Sequence, residues 1–165
     1  MKAALATPRP EAPDIALAVC GWLHRIGPVP SRIVVLGGAP ALVAGTRRLW
    51  PHARLLATDE AEDLRAVALA AGADHFVATR AIDLPPVLIE SSDLVMGSVA
   101  MAVAPALVRH VWSHLHERAA LALVLPLGFL EDERQALFVE RPADVVVTLH
   151  DRLGLFTWRR RRVRR

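Results

Sequence analysis

The sequence predicts an α/β protein, a three-layer α/β/α arrangement around a mostly parallel sheet of about seven strands. Three observations carry this expectation. Apolar runs that are continuous rather than alternating recur at residues 33–36, 94–96 and 119–125, as in strands buried on both faces. Stretches with apolar residues at spacings of three and four lie between them. The elements alternate strand and helix until the end, where two strands follow one another, which specifies a parallel sheet with an antiparallel edge.

Taken in order, residues 1–12 are rich in proline and alanine and read as irregular, with Thr7-Pro8 as their distinctive pair. Asp14 is placed to cap a helix running to about Ile26, in which Ile15, Val19, Trp22, Leu23 and Ile26 share a face. Gly27-Pro28-Val29-Pro30 ends it. Ile33-Val34-Val35-Leu36 forms the first strand and breaks on Gly37-Gly38. Pro40 suits the first turn of a second helix, closed by Pro51. A strand over residues 53–58 ends on Asp59, and the alanine-rich helix at 61–71 stops at Gly72. Residues 74–78 read as a third strand, followed by 79–83 and a loop at Leu84-Pro85-Pro86. Residues 92–96 are a fourth strand, ending at Gly97-Ser98. A long helix from about Ala102 to Arg118 leads into the fifth strand at 119–125. A helix near 131–139 follows, then a sixth strand at 144–149, a loop at 150–154 and a seventh strand at 155–159.

The chain has 165 residues and is 53% hydrophobic, enough for one domain with a full core, placed at residues 1–158. No apolar run reaches a membrane span, since the longest, 94–108, contains Gly97 and Pro105. The N-terminus lacks the long apolar segment of a secretory signal. Cys20 is the only cysteine, so neither an internal disulfide nor a thiolate cluster is available. These features point to a cytoplasmic protein with no membrane partner. The formal net charge of +3 is unevenly placed. Arg159, Arg160, Arg161, Arg162, Arg164 and Arg165 lie within the last seven residues, and without them 14 basic residues face 17 acidic ones. The tail, residues 159–165, has two readings: a contact to nucleic-acid phosphates without sequence preference, or a solvated terminus.

Strand, glycine turn, helix, strand and acid, over residues 32–59, is the βαβ layout of nucleotide-binding proteins. Its turn lets backbone amides and a helix start approach a ligand, while the acid about 20 residues on accepts from ribose hydroxyls. No complete G-x-G-x-x-G is present. Asp59 has a second reading, as the cap of a helix beginning near Glu60. Ser98 reads either as a group orienting an acceptor or as the N-cap of the helix near Ala102. His110, His114 and Glu117 have metal-binding spacing on one helix, against the simpler reading of a polar face. Trp158 beside the arginine run reads as a base-stacking residue or an edge-strand anchor. No G-x-S-x-G elbow and no G-x-x-x-x-G-K-[ST] loop occurs, which leaves serine hydrolysis and P-loop chemistry without support.

On these residues the chain resembles the S-adenosylmethionine-dependent methyltransferases with a Rossmann-like class I fold. Within them it is most similar to small phage and prophage DNA adenine (amino-group) methyltransferases. The likeness rests on Thr7-Pro8 before a helix, the glycine turn, the acids after the second and third strands, and the segment L-V-L-P-L-G-F-L-E-D-E-R-Q-A-L-F followed by an arginine-bearing loop before F-T. The resemblance implies that Gly37 and Gly38 line the methionine part of the cofactor, Asp59 the ribose and Asp83 the adenine. Asp83 also reads as a loop cap before two prolines. Two departures stand out. Leu36 occupies a position where the family commonly has an acid, and Met96-Gly97-Ser98-Val99 replaces its N-P-P-[YF] tetrad. That tetrad accepts hydrogen bonds from the target amine and stacks an aromatic ring on the flipped base. The sequence therefore leaves two functions open. One is a methyltransferase acting in DNA modification; the other is a pseudoenzyme, a non-catalytic subunit on the same scaffold that binds nucleic acid or a protein partner.

Overall fold

The computed structural model describes residues 13–130, 143–149 and 152–160. Seven strands form one sheet: β1 (Arg32–Leu36), β2 (Arg54–Asp59), β3 (His75–Ala78), β4 (Leu94–Ser98), β5 (Ala120–Pro126), β6 (Val145–Thr148) and β7 (Leu153–Arg159). Their spatial order is β3-β2-β1-β4-β5-β7-β6. The first five strands run parallel, and β7 inserts antiparallel between β5 and β6.

Strand alternation divides the interior into two cores. Ile33 and Val35 of β1 face one side, where α1 (Pro13–Ile26), α2 (Pro40–Leu49) and α3 (Leu64–Ala70) pack through Val19, Leu42, Val43 and Ala68. Val34 and Leu36 face the other, under α4 (Pro86–Glu90) and α5 (Ala104–His114), which contribute Ile89, Leu107, Val108 and Val111. Burial on both faces is what the continuous apolar runs predict, and the three-layer α/β/α class follows from it.

Several boundaries differ from the sequence reading for local reasons. α5 spans Ala104–His114 rather than the longer stretch expected, because Pro105 sits in its first turn and Leu115 adopts extended backbone. Arg118 then takes φ 80 and donates its amide to the Arg160 carbonyl at 3.0 Å, turning the chain into β5. α3 starts at Leu64 rather than near residue 61, since a turn over residues 59–61 precedes it. Residues 81–83 form a single 3-10 turn, and α4, only five residues long, was hidden behind Pro85-Pro86. Residues 1–12, the expected helix near 131–139 and the loop residues 150–151 lie outside the described residues.

Two carboxylates lock strand starts in place. Asp93, before β4, accepts from the Ser31 amide at 2.8 Å, the Ser31 hydroxyl at 2.6 Å and the Arg32 amide at 3.0 Å. Asp74, before β3, accepts from the Leu55 amide at 2.7 Å and the Arg47 guanidinium at 2.8 Å. Arg47 also donates to the carbonyls of Gly72, Pro51 and Ala53, so one side chain of α2 joins the ends of three elements. Cys20 is buried against Thr46, and burial pushes its thiol up to about 11 although the Thr46 contact acts the other way. A thiol with that ionisation is not a nucleophile at neutral pH.

Candidate functional site

In a parallel sheet, ligands bind beyond the carboxyl ends of the strands, where neighbouring crossovers leave on opposite faces. Here that place is the end of β1, between β2 and β4. β1 ends directly in Gly37 and Gly38, both left-handed at φ 78 and φ 46, which L side chains adopt at a cost of about 1–2 kcal/mol. The turn is pinned by the Gly38 amide, which donates to the Thr58 carbonyl of β2 at 2.9 Å. α2 begins two residues later, and Pro40 in its first turn has no amide hydrogen to leave unsatisfied.

This turn is crowded from both sides. A Cβ added at Gly38 would lie 3.1 Å from the Asp59 Cβ and 3.4 Å from its Oδ2; one at Gly37 would lie 3.2 Å from the Ser98 carbonyl oxygen. The fold therefore brings together four of the residues singled out in the sequence, Gly37, Gly38, Asp59 and Ser98. Asp59 is half-buried at the end of β2, and its Oδ1 accepts the Ala61 amide at 2.9 Å. That bond is an Asx turn rather than a helix cap: the residue before α3 is Asp63, and its side chain makes no capping bond. Beside Asp59, the buried Thr58 Oγ1 has no hydrogen-bond partner.

The N-cap reading of Ser98 is corrected by the structure, because α5 begins after Val103, five residues on. Ser98 instead ends β4 half-buried, with its carbonyl against Gly37. The residue before it carries the tightest packing of the site. A Cβ at Gly97 would lie 2.6 Å from both Cβ and O of Leu36, its register partner in β1. Neither an asparagine nor a proline fits there without parting the two strands. The sequence signal was present: a lone glycine at the end of an apolar strand marks close backbone approach.

Asp83 does not join this group by any contact. It closes the 3-10 turn after β3, exposed, with its Oδ2 2.5 Å from the Arg80 guanidinium. β3 is nonetheless tied to the site edge, since the Thr79 amide donates to the Asp59 carbonyl at 2.8 Å.

The arginine run starts at the opposite end of the sheet. Arg159 is the register partner of Ala120, the first residue of β5, on a row that crosses Leu94, Ile33 and Leu55. The site lies on the row through Leu36 and Gly97 and beyond it. From Arg32 to Gly37 is about 17 Å of strand at ~3.3 Å per residue. Arg159 belongs to β7, donating its amide to Asp144 at 2.6 Å and its guanidinium to the Ile26 carbonyl. The Arg160 guanidinium donates to the Leu115 carbonyl. Arg161, Arg162, Arg164 and Arg165 lie outside the described residues. Both readings of Trp158 are corrected. The ring is buried and stacked on Phe156 at 6.3 Å, and β7 is an interior strand, so Trp158 neither meets a base nor anchors an edge. On α5, His110 Nε2 donates to the Leu84 carbonyl at 2.8 Å and His114 lies 3.3 Å from Glu90. Both rings tie α5 to the segment around α4; among the described residues no group of three metal-ligating side chains occurs.

No family model matches the chain, and no curated protein matches it in sequence. Solved structures do match. The ribosomal protein L11 methylase of Lactobacillus delbrueckii subsp. bulgaricus superposes with a TM-score of 0.70 at 16% identity, over 90% of this chain and 79% of that one. The chain has the methyltransferase fold. Human N-acetylserotonin methyltransferase, solved in complex with SAM, gives a TM-score of 0.62 at 13% identity over 89% of this chain. TrmN from Thermus thermophilus gives 0.61 at 18% identity over 90%. This chain spans about half the length of the latter two, covering 52% and 48% of them. In this chain the strand order reverses direction at β1, and the Gly37-Gly38 turn lies at that point. Among the described residues, no helix is long and apolar enough to cross a membrane.

Proposed function

We propose that the chain binds S-adenosylmethionine at the Gly37-Gly38 turn and works as a methyltransferase of the DNA adenine amino-group type. The observation that carries this reading is the Gly38–Asp59 approach. Only a residue without a side chain lets Asp59 come this close to the turn, and the same approach holds its carboxylate beside it with one oxygen turned toward Gly38. With Oδ1 fixed on the Ala61 amide, the other oxygen of Asp59 is oriented to accept from ribose hydroxyls. In the first turn of α2, Pro40 has no amide hydrogen and the Leu42 and Val43 amides both donate to the Ala39 carbonyl, so contact from this turn to the carboxylate of the methionine moiety falls to the Ala41 amide. The residues fit the cofactor on these grounds. Asp83, carried over from the resemblance, is proposed to border its adenine. When bound, the cofactor supplies an electrophilic methyl on a sulfonium. The part of this chain's residues is positioning: a direct displacement needs an in-line acceptor rather than a proton relay.

A second reading is favoured by Gly97. The contact with Leu36 leaves no room for the proline that stands at the Gly97 position of the tetrad, and the amide position is filled by the buried Met96, so the tetrad that holds an amine in the resembling family is not formed here. On this reading the chain binds cofactor or partner without transferring a methyl group, and Ser98 is the remaining candidate to orient an acceptor.

Calorimetric titration with S-adenosylmethionine and S-adenosylhomocysteine tests the cofactor site. Binding by the native chain that disappears in Asp59→Ala, with unfolding temperature unchanged, supports it. Absence of heat and of any thermal shift at millimolar ligand overturns both the cofactor and the enzyme. Binding without methyl transfer to any adenine-containing DNA selects the second reading.

A further inference from the structure

At the far end of the sheet from the glycine turn, a groove of about 560 Å³ opens between α4 and the starts of β1, β2 and β3. It exists because α4 has only five residues and leaves the lower part of this sheet face uncovered. Strand alternation puts Val34, Leu56 and Val77 on that face, and the groove floor is formed by them with Leu88 of α4. Arg32 and Arg54 stand at its mouth on the same face. They are direct register partners on neighbouring parallel strands, so their Cα atoms are about 4.8 Å apart. His75, partner of Leu56, lies beside them.

Like charges held directly opposite one another on adjacent strands are destabilising. Arg32 and Arg54 are both exposed, and among the described residues no carboxylate pairs with either side chain. Of the acids at this edge, Asp93 spends its Oδ2 on the Ser31 and Arg32 amides and the Ser31 hydroxyl, with its Oδ1 3.4 Å from His116, and Asp74 is held by the Leu55 amide and Arg47. Such an arrangement is relieved by an anion that bridges both guanidiniums. The same edge carries Arg25, Arg118 and Arg159 at the ends or starts of α1, β5 and β7, and its carboxylates Asp74, Asp93 and Asp144 are each held by backbone amides.

We infer that this groove holds a segment of single-stranded nucleic acid, with Arg32 and Arg54 on consecutive phosphates and bases resting on the apolar floor. Cations that follow the phosphates are one part of sequence-tolerant single-strand binding; the faces on which bases rest, usually aromatic, are here the aliphatic side chains of Leu56, Val77 and Leu88. A duplex offers phosphates but keeps its base faces stacked, so it uses only half of the groove. The site is separate from the cofactor site, and its test does not depend on methyl transfer.

The experiment is fluorescence anisotropy of a labelled single-stranded oligothymidine with the full chain, across a range of salt concentrations. In the double variant Arg32→Gln/Arg54→Gln, affinity at low salt should fall about tenfold or more. The slope of log affinity against log salt should become shallower by about 1.4, at ~0.7 for each phosphate of a single strand that is no longer neutralised. Heat from S-adenosylhomocysteine and the circular dichroism of the variant should match the native chain, which separates loss of the groove from loss of fold or cofactor. A milder variant, Leu88→Ser on the floor, should weaken the oligonucleotide without changing the salt slope. Unchanged affinity in the double variant overturns the proposal, as does equal or tighter binding of duplex. Sedimentation with phosphatidylglycerol vesicles that is lost in the double variant while oligonucleotide binding is weak overturns it in favour of a membrane surface.

Discussion

Substituting Gly97 by alanine adds one methyl group at the tightest point in the protein. Gly97 is buried between Leu36 of β1 and Leu123 of β5. The new Cβ would sit 2.6 Å from Leu36 O and 2.6 Å from Leu36 Cβ, about an ångström inside normal contact. Neither atom is the free end of a flexible side chain. Leu36 is fully buried in a central strand paired on both sides, so relief requires shifting β1 or β4. Overpacking of this kind costs about 1–3 kcal/mol. For a chain of this size that corresponds to a fall in Tm of roughly 2–12 °C. Urea denaturation followed by circular dichroism gives the cost directly, with Gly128→Ala as the control, because an added Cβ there meets nothing within 4 Å. A Gly97→Ala chain within about 0.5 kcal/mol of the native one, the range of inert surface changes, would refute the close-approach argument. It would also reopen the question of whether this strand end can seat a proline.

Other parts of the structure give further expectations. Gly21, inside α1 with open space around its Cβ position, should be stabilising as alanine by about 0.5–1 kcal/mol in the same denaturation assay. Arg47→Ala strands the carbonyls of Gly72, Pro51 and Ala53 and should cost about 2 kcal/mol; Arg47→Lys should recover little of it, since one ammonium cannot reach the same spread of acceptors. Burial alone would raise the carboxyls of Asp74 and Asp93. The Leu55 amide and Arg47 on one, and Ser31 and the Arg32 amide on the other, outweigh it and hold both below their ordinary 3.8. Their contribution is present above that value and is lost as pH falls through the depressed pKa values. Stability should therefore drop below about pH 4, and Asp93→Asn should flatten that part of the curve.

The strands and the glycine turn were legible because their signals are local. A continuous apolar run ending on Gly37-Gly38 needs nothing beyond its neighbours to read as a buried strand and a tight turn. Asp59 was legible for the same reason, at the end of the next strand. What was not legible depends on register. That Gly97 meets Leu36, that Arg32 stands opposite Arg54, and that Arg159 returns to the starting edge of β5 are facts of pairing between residues 22 to 61 positions apart. α4 was missed because five residues are too few to show helical periodicity. Trp158 was misjudged because its neighbours in sequence are arginines, whereas its neighbours in space are the second core.

Register also separates the two proposed sites. Asp59 stands at the carboxyl edge, while the exposed Arg32 and Arg54 stand at the other, which also carries Asp74 and Asp93. About 17 Å of strand lies between them, twice the screening length at physiological salt. The Asp59 carboxylate suits a cationic sulfonium and repels a polyanion; the Arg32–Arg54 pair does the reverse. If both proposed sites operate, a strand seated on Arg32 and Arg54 must run around the molecule before a base reaches Ser98. An oligonucleotide of about four residues should then bind without being methylated, whereas one of about sixteen, near the upper end of single-strand site sizes, should bind and accept methyl groups. A radiolabelled methyl-transfer assay alongside anisotropy distinguishes these. Equal methylation of the short strand would mean that nucleic acid approaches from the carboxyl edge directly, and the groove would then have no part in presenting the substrate.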